Sequence, residues 1–209
     1  MRLALIGMGK MGRAVKSLAE ERGWAIAANL ASADVAIEFT KPEAAPANIR
    51  ACVAAGCPVV VGTTGWYHEL PAITAEIERE GGAMLWGPNF SFGAQVLLAL
   101  AAEAARLLDT DVAIVETHHA AKKDAPSGTA REIAKAIIAE RSGGVPITSV
   151  RVGHVPGTHE VIFDGVFDQI RLVHQVRDRK VFAEGALMAA EWLIRDKRRG
   201  VFTMHDLLT

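Results

Sequence analysis

Two histidines, two lysines and a Ser-Gly-Thr triplet crowd into fifteen residues of this chain, Glu116-Thr117-His118-His119-Ala120-Ala121-Lys122-Lys123-Asp124-Ala125-Pro126-Ser127-Gly128-Thr129-Ala130. Imidazole is the side chain best suited to move a proton near neutral pH. The lysine ammonium is a compact cation that suits an anionic substrate. Ser127-Gly128-Thr129 reads as the opening of a helix, whose free backbone N–H groups can hold a carboxylate, with Gly128 allowing close approach. Ser127 is also an ordinary helix N-cap, a role compatible with binding. Together these groups suit proton transfer to a small anionic molecule.

The elements needed to position such groups can be read on either side. The apolar run Val112-Ala113-Ile114-Val115 lies within an expected strand, 111–117, so the cluster sits at a strand end. The spacing predicts a helix over 129–141 directly after it. Upstream, strand-like runs at 3–6, 24–30, 34–39, 58–62 and 83–86 alternate with helical patterns at 11–22, 43–55 and 67–80. Such alternation predicts βαβ units and a parallel sheet. A long Ala/Leu-rich helix is expected over 95–108. Strand-like runs at 148–152, 159–164 and 168–176 then follow without intervening helices, which predicts an antiparallel or mixed sheet. A helix at 182–195 and a tail at 201–209 that packs back on the first domain complete the reading. The expected fold is α/β: a Rossmann-like parallel-sheet domain (1–91 and 180–209) plus an α+β domain (92–179).

Composition narrows the function class. The chain has 209 residues, 50% hydrophobic and 22% charged, with a net charge of −1. That balance gives no electrostatic reason to expect nucleic acid or an anionic membrane as partner. No apolar run reaches the ~18 residues of a membrane span, and the N-terminal apolar run is too short for a signal peptide. Cys52 and Cys57 offer no disulfide framework and suit a reduced, cytoplasmic compartment. They read as small buried apolar residues. A zinc site is not expected, because neither cysteine lies near the histidines and no HxxxH spacing occurs.

Gly7-Met8-Gly9-Lys10-Met11-Gly12 forms a GxGxxG turn between the first strand and first helix, as a dinucleotide fingerprint requires. The ribose-binding acid expected about 20 residues on is missing: the second strand runs into Asn29-Leu30-Ala31-Ser32. The choice between NAD and NADP is therefore open, although Lys10 or Arg13 could contact a 2′-phosphate. Gly62-Thr63-Thr64-Gly65-Trp66 and Gly87-Pro88-Asn89-Phe90-Ser91 follow two further strands. They too fall at the carboxyl edge, where open parallel sheets bind ligands, and Asn89 could bond an amide.

These motifs converge. Gly7–Gly12, Glu38-Phe39-Thr40-Lys41-Pro42, Gly62–Gly65, Asn89-Phe90-Ser91, Arg151-Val152-Gly153, Phe182-Ala183-Glu184-Gly185-Ala186-Leu187, Gly200-Val201-Phe202-Thr203-Met204 and above all Glu116–Ala130 resemble the dihydrodipicolinate reductase family nearly end to end. The chain resembles a short member, with the stretch between the second and third strands nearly absent. The resemblance implies reduction of a cyclic dicarboxylate imine by NADH or NADPH in lysine and diaminopimelate biosynthesis, by a homotetramer assembled through the second domain's sheet. It implies His118 as proton donor, Lys122 as second catalytic acid, His119 as a substrate contact, and Gly128 and Thr129 as the carboxylate-binding turn; Ser127, at the same helix start, joins them as a candidate substrate contact. Gly7, Met8, Gly9, Lys10, Met11, Gly12, Gly62, Thr63, Thr64, Gly87, Pro88, Asn89 and Phe90 match cofactor contacts.

Several residues carry competing readings. Adjacent histidines on a strand point to opposite faces, so packing or solvation is the lesser reading of His119. His154, His159 and His174 fall near the second sheet in structural roles, with His159 the one able to line a pocket. Lys123 is expected in solvent, and Arg179 is a candidate clamp for a second carboxylate. The rival functions are another nicotinamide-dependent enzyme of amino-acid metabolism and an inactive dinucleotide-binding module.

Overall fold

The computed structural model describes residues 1–208; Thr209, the end of the expected tail, lies outside the described residues. In chain order the elements are β1 (Arg2–Ile6), α1 (Lys10–Glu21), β2 (Ala25–Ile26), β3 (Val35–Glu38), α2 (Ala45–Ala54), β4 (Val59–Val61), α3 (Leu70–Glu80), β5 (Ala83–Trp86), α4 (Phe92–Leu107), β6 (Asp111–His118), α5 (Gly128–Glu140), β7 (Ile147–Arg151), β8 (Thr158–Asp164), β9 (Gln169–Gln175), α6 (Lys180–Arg195) and β10 (Gly200–Thr203). Contacts divide them into two compact units, residues 1–91 with the chain from Lys180 onward, and Phe92–Arg179.

The first unit is a six-stranded sheet in the order β2-β1-β3-β4-β5-β10. Every pairing in it is parallel. Helices cover both faces, which is why its strands are apolar on both sides. Leu3, Val35, Ile37, Val60 and Leu85 pack with Val15 and Ala19 of α1 and with Ala183, Ala186, Leu187, Ala190 and Leu193 of α6. Ala4, Ala36, Val59, Val61 and Met84 pack with Ile49 and Cys52 of α2 and Ile73 and Ile77 of α3. The expected Rossmann-like sheet is present, and both cysteines are buried as the composition suggested.

Two local expectations are corrected. The strand expected over 24–30 shrinks to Ala25–Ile26, an exposed edge pair. Beyond it the Asn29 side chain accepts the Ser32 N–H and closes a 3₁₀ turn at Leu30–Ser32. This local hydrogen bond competes with extended pairing, and the chain must then pass β1 to reach its other side. The helix expected over 67–80 splits into a 3₁₀ turn, Tyr67–Glu69, and α3, with Pro71 in the first turn where its missing N–H costs nothing.

The second unit carries a four-stranded sheet, β7-β6-β8-β9. It is mixed: β6 runs parallel to β7 and antiparallel to β8, which is antiparallel to β9. Val112 and Ile114 of β6 and Val161 and Phe163 of β8 bury one face against Leu97 and Ala101 of α4 and Ile133 and Ile137 of α5. Strand alternation has a consequence for function. Residues two apart share a face, so the side that buries Val112 and Ile114 continues into Glu116 and His118. Register places Ser149 opposite Glu116 and Arg151 opposite His118 on β7, and His159 opposite Glu116 on β8.

Candidate active site

In the first unit the ligand-type surface is made of backbone. Gly7 adopts φ +100°, and a Cβ there would stand 2.1 Å from the Phe39 carbonyl oxygen. A Cβ on Gly12 would stand 1.9 Å from the Gly7 carbonyl oxygen, so the turn and the start of α1 close only with glycine at both positions. A Cβ on Gly9, by contrast, would meet nothing within 4 Å beyond its own chain neighbours, and α1 begins there with no side-chain cap on its N–H groups. An open helix N-terminus over a tight glycine turn fits a pyrophosphate. Beside it a cavity of about 370 Å³ is lined by Gly9, Lys10, Met11, Phe39, Thr40, Pro42, Gly62, Thr63 and Thr64.

Of the thirteen candidate cofactor residues, Gly9, Lys10, Met11, Gly62, Thr63 and Thr64 line this cavity. Gly7 and Gly12 shape its turn. Met8 is exposed beside it. Gly87, Pro88, Asn89 and Phe90 follow β5 outside the lining; there the Asn89 amide oxygen accepts the Ser91 N–H at 2.8 Å. Glu38 had no assigned role in the sequence reading, yet it organises the cavity wall. Fully buried at the end of β3, its Oε1 accepts the Thr40 N–H at 3.1 Å, the Asn48 amide at 3.3 Å and the Thr40 hydroxyl. The Thr40 N–H also donates to Thr63 Oγ1 at 2.7 Å. Residues 27–33 after β2 hold no carboxylate, as the sequence indicated, and Asp34, next along the chain, is paired with Arg2.

In the second unit the end of β6 gathers charged side chains. Glu116 is 0% exposed and meets His118 Nδ1 through Oε2 at 2.5 Å. Arg151 clamps both of its oxygens, Nη1 to Oε2 at 2.8 Å and Nη2 to Oε1 at 2.6 Å. The Ser127 N–H reaches Oε1 at 3.2 Å. Burial works to raise the Glu116 pKa, but hydrogen bonds from Arg151, Ser149 and His118 overcome it and draw the group down to about 2. Burial holds the His118 imidazole below its ordinary value; the Glu116 hydrogen bond and charge oppose that, while Lys122 and Arg151 reinforce it.

Ser127 caps α5, its Oγ accepting the Ala130 N–H at 3.2 Å and meeting His159 Nε2 at 3.0 Å. His159 is buried and pushed down to about 4, by desolvation first and the nearby His118 second. The Lys122 ammonium bonds both oxygens of Asp124, at 2.7 and 2.8 Å. Gly128 has nothing within 4 Å of its Cβ position, so the first turn of α5 is open to a ligand.

Of the substrate-side candidates, His118, Lys122, Ser127 and Gly128 thus belong to one cluster. Thr129 follows on the first turn of α5, half-buried. His119 lies just past β6, half-buried, its carbonyl accepting the Lys122 N–H. Lys123, His154 and Arg179 are exposed. Glu116 and Arg151 are the members for which sequence reasoning found no part in the chemistry; His159, expected in a structural role though able to line a pocket, joins them through Ser127 and the His118 ring. The available signal was periodicity: Glu116 lies two residues before His118 on the same strand.

A Rossmann-like sheet with an open glycine turn, carried in one chain with a mixed-sheet unit, fits a nicotinamide-dependent oxidoreductase. Residues 93–208 match the family described as "Dihydrodipicolinate reductase, C-terminus", and residues 23–90 match "Dihydrodipicolinate reductase, N-terminus". The chain is 35% identical to the 4-hydroxy-tetrahydrodipicolinate reductase of Christiangramia forsetii, over 100% of this chain, glycine turn included, and 98% of the relative. It is 37% identical to the 4-hydroxy-tetrahydrodipicolinate reductase of Nitratidesulfovibrio vulgaris over 83% of this chain and 75% of the relative. Its fold superposes with a TM-score of 0.82 on the dipicolinate-bound dihydrodipicolinate reductase from Paenisporosarcina sp. TG-14, at 24% identity and covering 97% of each chain. The chain belongs to the dihydrodipicolinate reductase family, and it is an NAD(P)H-dependent oxidoreductase.

Proposed function

We propose that the chain reduces a cyclic dicarboxylate, 4-hydroxy-tetrahydrodipicolinate, to tetrahydrodipicolinate in lysine and diaminopimelate biosynthesis. The observation that carries this reading is the end of β6, where a carboxylate-bound imidazole, an ammonium and an open helix N-terminus share one cluster. When bound, the reduced dinucleotide supplies a hydride. The balance per turnover is one NAD(P)H and one proton in, one NAD(P)⁺ and one water out. The ring hydroxyl leaves with a ring proton as water, and the hydride and a proton form two new C–H bonds.

His118 gives the proton to the ring carbon made electron-rich by reduction, a role worth about 10²–10⁴-fold in rate. Lys122 assists departure of the hydroxyl and attracts the dianion, which competes with Asp124 for its ammonium. The N–H groups of Gly128 and Thr129 and the Ser127 hydroxyl hold one carboxylate, with His119 beside them. The residues lining the glycine-turn cavity, with Gly7, Met8, Gly12 and the segment Gly87–Phe90, hold the dinucleotide, and either NAD or NADP is accepted.

The working form is a cytoplasmic homotetramer. The outer face of the second sheet supports an oligomer, because Val150 and Val173 point away from the helices and are 38% and 58% exposed. The test is an assay of the purified chain with freshly made dihydrodipicolinate, alongside light scattering. Substrate-dependent oxidation of NADPH by a particle of four chain masses is expected. Turnover only with another amino-acid-derived imine or carbonyl would favour the rival enzyme; cofactor binding without turnover would favour an inactive module.

A further inference from the structure

We infer that Glu116 and Arg151 are positioning residues for proton transfer: Glu116 fixes which nitrogen of His118 carries the exchangeable proton, and Arg151 sets how strongly it is held. This rests on the reading of His118 as the proton donor.

An ionised carboxylate only accepts. Oε2 of Glu116 meets His118 Nδ1 at 2.5 Å, so Nδ1 carries hydrogen in that contact and Nε2 is the atom left to exchange a proton. The carboxylate has little freedom to turn away. The Arg151 guanidinium bonds both of its oxygens, at 2.8 Å to Oε2 and 2.6 Å to Oε1, the Ser127 N–H reaches Oε1 at 3.2 Å, and Ser149 adds a further hydrogen bond. The ring is confined as well: a Cβ at Gly157 would stand 3.0 Å from His118 Nε2, at a residue with φ +156°.

The charges about His118 explain the need for a third partner. A buried carboxylate alone would hold the imidazolium too firmly for it to release its proton. Arg151 at the end of β7 shares the carboxylate, and Lys122 in the loop between β6 and α5, itself paired with Asp124, adds positive charge. His159 of β8 stands edge-on at 5.2 Å between ring centroids, with His174 of β9 beyond it. Burial first, with Lys122 and Arg151 adding to it, holds the His118 pKa below its ordinary value in the free site, and arrival of a dianion would favour its protonated form. An acid poised in this way transfers its proton efficiently near neutral pH.

The two partners push His118 in opposite directions, and this separates positioning from structural support. In pH profiles of kcat/KM, activity falls on the alkaline side as His118 loses its proton. Glu116→Gln is expected to move that limb about one pH unit lower and to reduce kcat about 10–10²-fold, whereas Arg151→Met is expected to move it higher. Arg151→Lys should restore most of the wild-type position. His118→Gln tests the underlying reading: if the limb and rate survive it, His118 is not the donor. If His118→Gln abolishes the limb while Glu116→Gln and Arg151→Met leave it in place, the inference alone fails.

Either variant risks misfolding, since each unpairs a buried charge. A second measurement therefore uses the unaltered chain. With ¹⁵N-labelled histidine, neutral His118 is expected as the Nδ1–H tautomer; a signal from the Nε2–H tautomer overturns the inference.

Discussion

The glycine turn of the first unit and the end of β6 in the second hold their ligand groups by different means. The turn uses backbone: glycines at Gly7 and Gly12 let the chain fold tightly on itself, and uncapped N–H groups at the start of α1 face an open space. The end of β6 uses side chains, with Glu116, His118, Arg151, Ser127 and His159 joined by hydrogen bonds across β6, β7, β8 and the N-terminus of α5. A backbone site depends on conformation, so it fails through sterics and leaves chemistry elsewhere intact. A side-chain site depends on proton positions, so it fails through protonation while the shape persists.

The sharpest way to break this contrast is a pair of substitutions. His118→Gln should lower kcat by about 10²–10⁴-fold, with dinucleotide affinity unchanged. Gly12→Ala places a methyl group 1.9 Å from the Gly7 carbonyl oxygen, where backbone must shift. Overpacking of that kind costs about 1–3 kcal/mol, so dinucleotide binding should weaken by roughly 10–10²-fold. Binding of a planar ring dicarboxylate should be untouched. Calorimetry with both ligands on both variants checks the pattern, and a crossed result would show that the two regions do not fail separately.

A smaller effect concerns stability against pH. His159 is buried with its pKa pushed down to about 4 from an ordinary 6.5. Between those values the unfolded chain takes up a proton that the folded chain refuses. Stability is therefore whole above about pH 6.5, falls as pH drops toward 4, and loses nothing further from this group below that. Glu116 acts lower. Its pKa falls from 4.5 to about 2, so its contribution is present above 4.5 and disappears toward 2. Urea midpoints measured from pH 7 to 4 should decline in the wild type and decline less in His159→Gln. The residual slope belongs to His118 and His174, whose shifts have the same sign, joined near the acid end by carboxylates with lowered pKa values such as Glu116. Equal slopes would mean that His159 is not buried in its neutral form.

The same contrast explains what could be read from sequence. The parallel sheet was legible because its strands are apolar on both faces and punctuated by glycine. The glycine turn was legible because its spacing is itself the mechanism. His118, Lys122 and Ser127 stood out by residue type within one short segment. Their partners did not. Arg151 lies 35 residues and His159 43 residues along the chain from Glu116, and only the β6–β7 and β6–β8 registers bring them to it. Glu38 was obscured differently, because a lone acid at a strand end gives no sign of whether it faces ligand, solvent or its own loop. The shortened β2 was missed because the Asn29 turn outweighs the extended propensity of a weak, exposed edge.

That short edge leads to the smallest predicted effect, on cofactor choice. Selection for NAD normally comes from a carboxylate at the end of the second strand, bonded to the ribose 2′-hydroxyl and repelling a 2′-phosphate. Here β2 ends at Ile26 and passes through Ala27 and Ala28 to Asn29, whose side chain oxygen is already engaged by the Ser32 N–H at 3.0 Å. No fixed negative charge opposes the phosphate. Lys10 lines the cavity, and Arg13 lies close by with its guanidinium bonded to the Met8 carbonyl oxygen at 2.9 Å. Exposed cations of this kind contribute only about 0–1 kcal/mol, a KM ratio of at most about fivefold in favour of NADPH, and less at high salt. KM values for the two dinucleotides should therefore be comparable, converging as ionic strength rises. A preference for NADH above about a hundredfold, roughly 2.7 kcal/mol, would require a discriminating group that the end of β2 does not possess.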